Sequence, residues 1–432
     1  MEKFSLWLEK KLLPFGVKIN NIKFLRVVRE SMMPTIPFII VGSMVLIILN
    51  FPFIEKVVPA SFLVFLSDVL SPLTQTTMSL VALFLAFLMG YNYVKTDVSN
   101  KANPIYCGLT TLIAFFVLTP FHVQVGEEIV DSVIPTTYMG SSGMFIALIA
   151  SYFIAMLYCF IFNKDIKIKL PDSVPQNILS SFEALIPAGI ALLAACIVNY
   201  LVGLTSYGNI HEAFSQLLTK PLLVVGTGLP ALLITQGLAQ LLWFLGIHGD
   251  QIVGSVMRPI LDNANLQNYE AYIAGLDRPY IITYQMTETF IQIAFMALVI
   301  AVIIVARSQR LKSTGKVAAV PAIFCISEPI VFGLPVIMNV TLLIPWVLIR
   351  PIFGLITYLF MFFGLCPTPT GVTIPWTTPP LLSGFLVTNS IMGAVVQLIC
   401  LIIGVLIFIP FIKVLDKKFR EEESEKISSK DM

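Results

Sequence analysis

Charge is what this chain has least of. Asp, Glu, Lys and Arg make up only 12% of its 432 residues, against 57% hydrophobic ones, and no soluble domain of this length could hide that much apolar surface in a single core. The solvent for most of the chain is therefore lipid. The formal net charge of +2 is too small to suggest nucleic acid as a partner, so the useful information is where Lys and Arg fall along the chain. The six cysteines, Cys107, Cys159, Cys196, Cys325, Cys366 and Cys400, are scattered singly in or beside apolar runs. They lack the paired spacing of a zinc site or redox motif and read as small buried apolar residues. Histidines number three, and no other His or Cys stands at ligand spacing around His248 or Glu328, so no metal is expected. There is no Walker A sequence and no GxGxxG opening a helix. No cofactor is expected, and energy for any transport has to come from an ion gradient or a separate protein. A cleavable signal peptide is not expected either, because a charged amphipathic stretch, residues 1–31, precedes the first apolar run with no small-residue cleavage pattern after it.

What the chain has instead is a series of apolar runs. A bilayer core about 30 Å thick takes about 20 residues of helix, and nine runs approach that length: residues 32–53, 73–93, 106–120, 143–163, 182–203, 222–245, 284–305, 340–363 and 389–412. The N-terminal arm, with Lys3, Lys10, Lys11, Lys18, Lys23, Arg26 and Arg29, is cytoplasmic by the positive-inside rule, while the loop holding Glu127, Glu128 and Asp131 lies outside. Alternation then places the tail with Lys413, Lys417, Lys418 and Arg420 inside as well, so both termini are expected in the cytoplasm. Phe4, Leu8, Leu12 and Phe15 recur at helical spacing among lysines, which describes an interfacial helix lying on the membrane surface. His122 and His211 are expected in outer loops, without a role, with residues 211–220 read as a similar surface helix on the outer side.

Three stretches do not read as plain spans. Residues 248–283 are too polar to face lipid, and residues 321–339 and 366–385 are broken by prolines and glycines within apolar sequence. Irregular backbone at membrane depth is tolerated only where protein or a water-filled cavity satisfies its polar groups, and discontinuous helices of this kind commonly line transporter binding sites. All three fall in the second half of the chain. The expected organisation is a lead-in over 1–31, a scaffold and oligomer-forming domain over 32–205, a substrate-binding domain over 206–413 and a cytoplasmic tail over 414–432.

Candidate site residues lie in those stretches. Glu328, in ISEPIVFG, is a carboxylate at membrane depth, which costs at least about 2.5 kcal/mol unless paired or hydrated. It suits a hydrogen-bond acceptor for sugar hydroxyls, and a general base for one of them; the bland alternative is a glutamate at a loop end near the surface. His248 lies between Gly246 and Gly249 after a long apolar run, where the chain can break and open the imidazole to a cavity; the alternative is a satisfied structural histidine. Trp376 offers a flat face for a pyranose ring and Trp243 offers it less strongly, both competing with an interfacial belt role. Asp250, Arg258 and Asp262 suit a local charge-paired network of structural kind.

The segments WFLGIHGDQIV (243–253), ISEPIVFGLPVIMN (326–339) and TPTGVTIPWTTPPLLSGFL (368–386) resemble the membrane-embedded IIC component of the phosphoenolpyruvate-dependent sugar phosphotransferase system, in its lactose/cellobiose/diacetylchitobiose branch. The likeness runs over essentially the whole chain. It implies an all-α polytopic membrane protein of about ten transmembrane helices with two re-entrant hairpins, a homodimer built through the N-terminal half, and an elevator-like movement of the substrate domain in a bacterial plasma membrane. It also implies that a disaccharide is phosphorylated as it is released inwards, by a phosphocysteine on a separate IIB protein. On that pattern His248 and Glu328 match the polar pair near the reacting hydroxyl, Trp243 and Trp376 match positions lining the sugar pocket, and Thr283 and Asn339 are weak candidates for further contacts. The run IQIAFMALV (291–299) departs from a more glycine-rich one in relatives. Two rival readings of the residues remain at this stage. One is a cation-coupled transporter with Glu328 carrying the proton, and the other is a membrane sensor that binds sugar without flux.

Overall fold

The computed structural model describes residues 18, 21–49, 58–97, 99–125, 128–171, 174–334, 336–337 and 339–428, apart from the side chains of residues 46, 124, 125, 176, 177, 328, 332 and 426–428. The interfacial helix expected around Phe4, Leu8, Leu12 and Phe15 lies outside these residues. Within them the apolar runs are helical, because in lipid every backbone N–H and C=O must find its partner inside the segment. Helices long and apolar enough to cross a bilayer are Lys23–Leu49, Ala60–Lys95, Ser141–Asn163, Ile178–Gly203, Tyr284–Val305, Val340–Phe362 and Ile391–Glu425. Ile210–Gly226 and Leu229–Phe244 are a bent helix pair that together has the length and apolar character of a broken span or a re-entrant loop, and Pro104–Val117 is a shorter apolar helix. Each of the nine expected runs falls on one of these, and the chain is an all-α polytopic membrane protein. The second run starts earlier than expected, at Ala60, since Ser67, Asp68, Ser71 and Pro72 dilute its apolar character.

Two compact units divide the chain, one of Asn21–Val45 with Val64–Val224 and the other containing Leu46–Leu63 with Val225–Met432. In the first, α1 (Lys23–Met32), α2 (Ile36–Leu49), α3 (Ala60–Met78), α4 (Val81–Lys95), α5 (Pro104–Val117), α6 (Ser141–Asn163) and α7 (Gln176–Gly203) follow in order. Helices α4, α5 and α6 pack on one another through small or slender residues such as Ala82, Ala86, Cys107, Ala147 and Ala155, all without exposure, which lets backbones approach closely in a membrane. Lys23 pairs with Asp97 at 2.7 Å and the Arg26 guanidinium donates to the Thr96 carbonyl at 2.5 Å, tying α1 to the loop after α4. Helix α7 leaves Leu193, Ile197 and Tyr200 exposed, as a lipid-facing surface requires.

Two details of this unit depart from the expectations. Residues His122–Val125 (β1) and Glu128–Asp131 (β2) form an antiparallel hairpin, where the alternating branched residues Val123, Val125, Ile129 and Val130 favour strands. His211 falls in the helical stretch expected over 211–220, but it is buried rather than on the surface. It sits in α8 (Ile210–Phe214), 1% exposed, with Nε2 at 3.0 Å from the Thr119 hydroxyl and its ring stacked on Tyr138.

The second unit holds α10 (Leu229–Phe244), α11 (Gly249–Ile273), the short α12 (Tyr284–Met286) continued by a π turn over Thr287–Ile291, α13 (Ala294–Val305), α14 (Gln309–Ile323), α15 (Glu328–Gly333), α16 (Val340–Phe362), α17 (Leu382–Thr388) and α18 (Ile391–Ser428); α9 (Lys220–Gly226) lies at the division. Its core gathers Phe290, Ala294, Leu298, Phe353, Val396 and Phe408, each fully buried. The polar stretch 248–283 consists of the 25-residue helix α11 followed by turns. Of the described residues, 324–327, 334, 336, 337 and 339 are non-helical in the first proline- and glycine-rich stretch, and 363–381 are non-helical leading into and through the second.

Candidate functional site

The irregular backbone of 363–381 would be costly at membrane depth without partners, and α11 supplies them. Asn265 Nδ2 donates to the Gly371 carbonyl at 2.8 Å, and Asn268 Nδ2 donates to the Pro369 and Tyr280 carbonyls at 2.9 and 2.7 Å. Asn268 Oδ1 in turn accepts from the Tyr280 N–H at 2.9 Å. Gly371 takes φ +82°, and a Cβ there would stand 2.2 Å from the Tyr269 amide nitrogen, so both conformation and space demand glycine. Gln397, on α18, uses its amide fully. Its Oε1 accepts from the Leu381 and Gly384 N–H groups at 2.6 and 3.0 Å, and its Nε2 donates to the Thr289 carbonyl and the Ser383 hydroxyl at 2.7 and 2.9 Å. The π turn and the entry to α17 are thereby fixed to one residue.

The break between α10 and α11 is built by glycine. Gly246 has φ +80°, and a Cβ on Gly249 would lie 1.9 Å from the Ala239 carbonyl oxygen. His248 caps α11, its Nδ1 accepting from the Gln251 N–H at 3.4 Å, and its ring is exposed. The Trp243 indole stands beside it, ring centroids 4.4 Å apart at 45°, and Trp243 Nε1 donates to Asp250 Oδ2 at 2.8 Å. Asp250 also receives Arg350 Nη1 and Nη2 at 2.5 and 3.3 Å and Gln292 Nε2 at 3.2 Å.

Asp250 therefore does not join Arg258 and Asp262 in the expected network. Those two pair with each other one turn apart, at 3.2 Å, with the Arg258 guanidinium 4.4 Å above the Tyr284 ring. Asp250 pairs instead with Arg350 on α16, a residue 4% exposed. Arg350 and Glu288 were the missed members of this region. Each is a lone charge in an otherwise apolar run, the signal by which intramembrane ionisable residues are recognised. Glu288 lies in the π turn, a form of helix common at functional sites, where the charges of Asp250, Arg258 and Arg350 bear on it.

Of the six sequence candidates, Trp243 and His248 are brought together. Glu328 opens α15 behind Ser327; its side chain lies outside those described. Trp376 stands in the irregular 363–381 stretch, 61% exposed. The Thr283 hydroxyl accepts from the Met286 N–H at 3.2 Å and Asn339 Oδ1 accepts from the Thr341 N–H at 3.1 Å, so both cap helices. Among the described residues no group of three or more His, Cys, Asp and Glu side chains is arranged to hold a metal ion. In sum, an exposed imidazole and an anchored indole flank a helix break, with a saturated carboxylate behind them.

Comparison with known proteins gives consistent matches. The family model described as "Phosphotransferase system, EIIC" matches residues 29–349. The oligo-beta-mannoside-specific EIIC component of Bacillus subtilis is 37% identical, covering 96% of this chain and 94% of that protein. The cellobiose-specific EIIC component of Geobacillus stearothermophilus is 34% identical over 98% of this chain and 96% of its own length. The crystal structure of ChbC, the IIC component from the N,N'-diacetylchitobiose-specific phosphotransferase system, superposes with a TM-score of 0.90 and 34% identity, covering 97% of this chain and 99% of that one.

Proposed function

Because the chain belongs to the phosphotransferase system EIIC family, we propose that it carries a disaccharide across the bacterial plasma membrane and presents it for phosphorylation by a separate phosphorylated IIB protein. The observation that carries this reading is the paired Trp243 and His248 at the glycine-built break, 4.4 Å apart, in a chain whose relatives are named for oligo-beta-mannosides and cellobiose. Those sugars share β-linked pyranose rings, whose apolar faces stack on an indole.

In this reading Trp243 and Trp376 hold the sugar rings, and Thr283 and Asn339 contribute at most minor contacts. His248 and Glu328 act at the reacting hydroxyl. The sugar oxygen attacks phosphorus, the phosphocysteine S–P bond breaks as the O–P bond forms, and the hydroxyl proton passes to Glu328 or His248 as general base. The protein supplies position and proton transfer, while the phosphoryl group comes from the partner. Residues 32–205 serve as scaffold and homodimer interface, residues 206–413 as the moving substrate domain, and both termini face the cytoplasm. About ten spans with two re-entrant hairpins complete the arrangement.

Equilibrium binding of radiolabelled cellobiose and diacetylchitobiose to the purified protein in lipid tests the site. Trp243→Phe is expected to weaken binding of the preferred sugar by about tenfold, about 1.4 kcal/mol. His248→Ala and Glu328→Gln should reduce phosphorylation more than binding. Unchanged affinity in Trp243→Phe and Trp376→Phe alike would remove the stacking site.

A further inference from the structure

Asp250 stands where three pieces of the second unit meet. Its carboxylate takes a bond from Trp243 in the last turn of α10, two from Arg350 on α16 and one from Gln292 just past the π turn. Four donors on two oxygens saturate a carboxylate. An ion pair with a buried Arg350 and a part-buried Asp250 is a poor way to gain stability, since desolvation offsets much of its attraction, and ionisable residues within membrane helices are by default functional. The feature that needs a reason is the partner outside the ion pair and its amide, the indole.

An indole has one polar atom, Nε1–H. Fixing it at 2.8 Å from Asp250 Oδ2 pins the edge of the ring, so the face beside His248 keeps one orientation. Asp250 also lies in the first turn of α11, two residues after His248, so the same bond spans the break from the end of α10 to the start of α11. Arg350 is a rigid fork that meets both carboxylate oxygens and sets their plane.

We propose that Asp250, clamped by Arg350, is a positioning residue for the sugar-binding face of Trp243: it orients the indole and sets the α10–α11 break without touching the substrate. The proposal rests on the reading of Trp243 and His248 as part of the sugar site. A purely structural pair would alter stability alone. A positioning pair alters the indole's environment and the sugar's KM while leaving kcat at saturation near its original value.

The test uses the full-length protein in lipid nanodiscs. Emission is read in a background where Trp7, Trp346 and Trp376 are replaced by Phe, leaving Trp243 as the fluorophore. Binding and phosphorylation are read in the otherwise unaltered chain with cellobiose and diacetylchitobiose. Asp250→Asn keeps the shape but not the charge, and Arg350→Lys keeps the charge but not the fork. Both are expected to red-shift Trp243 emission, increase its quenching by acrylamide and weaken sugar affinity by about tenfold, with KM rising and kcat held. Should Asp250→Asn fail to fold, Arg350→Lys carries the test. If Trp243→Phe weakens binding but neither variant moves emission or affinity, the site stands and the positioning role is overturned. If Trp243→Phe binds both sugars as tightly as the unaltered protein, the site reading falls and the proposal with it.

Discussion

A carboxylate at membrane depth is costly unless paired or hydrated, while one in a loop gains from a partner without requiring it. Asp97, in the loop after α4, is held at about 2, below its ordinary 3.8, first by the hydrogen bond from Lys23 and then by that from Ser99. A carboxylate with a lower pKa folded than unfolded stabilises the fold above its unfolded value and loses that contribution as pH falls through the folded one. Attachment of α1 is therefore expected to weaken as pH drops from 3.8 towards about 2. Amide hydrogen exchange in α1 reads this, and Asp97→Asn should show no such step; a step of the same size in that variant would contradict the assignment. At the level of residues, the break at His248 is legible because glycines flank it. Arg350 is less so, since nothing local says that its partner is Asp250, 100 residues away.

At the scale of elements, run length makes the helices legible, because lipid forces every long apolar segment to satisfy its own backbone. The long-range bonds are the hidden part. The prolines and glycines of 366–385 announce irregular backbone, but that Asn265 and Asn268 satisfy it follows only from the packing of α11 against a stretch 101 and more positions away. Gln397→Met makes this testable. It strands the Thr289 carbonyl and the Leu381 and Gly384 N–H groups, at about 1–3 kcal/mol for each buried group left unsatisfied. A lowered thermal midpoint in lipid is the expected result, and an unchanged midpoint would show the bonds to be dispensable. A second element-scale case is the start of α14. Asp416 Oδ1 accepts the Arg307 and Ser308 N–H groups at 2.8 Å each, and Glu423 accepts those of Gln309 and Arg310 at 3.1 and 3.0 Å, so α18 holds the approach to the helix and two N–H groups of its first turn, beside the cap that the Ser308 hydroxyl gives to Leu311. Asp416→Ala is expected to cost about 1–3 kcal/mol and to speed amide exchange at Arg307 and Ser308, just before α14, while leaving α16 protected.

For the whole molecule, the family is legible in three short segments because they carry the turns, the histidine and the glutamate together. The polytopic helical fold was likewise expected, and so was its breakage in the second half. The rival cation-coupled transporter differs from the phosphotransferase reading in the chemical state of the delivered sugar, which makes that state the direct discriminator. The measurement is uptake of radiolabelled cellobiose and diacetylchitobiose into vesicles containing this protein, with and without phosphorylated IIB, followed by analysis of the internal sugar for phosphate. Phosphorylated sugar that appears only with IIB, and is lost in Glu328→Gln, is the predicted result. Unmodified sugar accumulating in a proton gradient without IIB would contradict it.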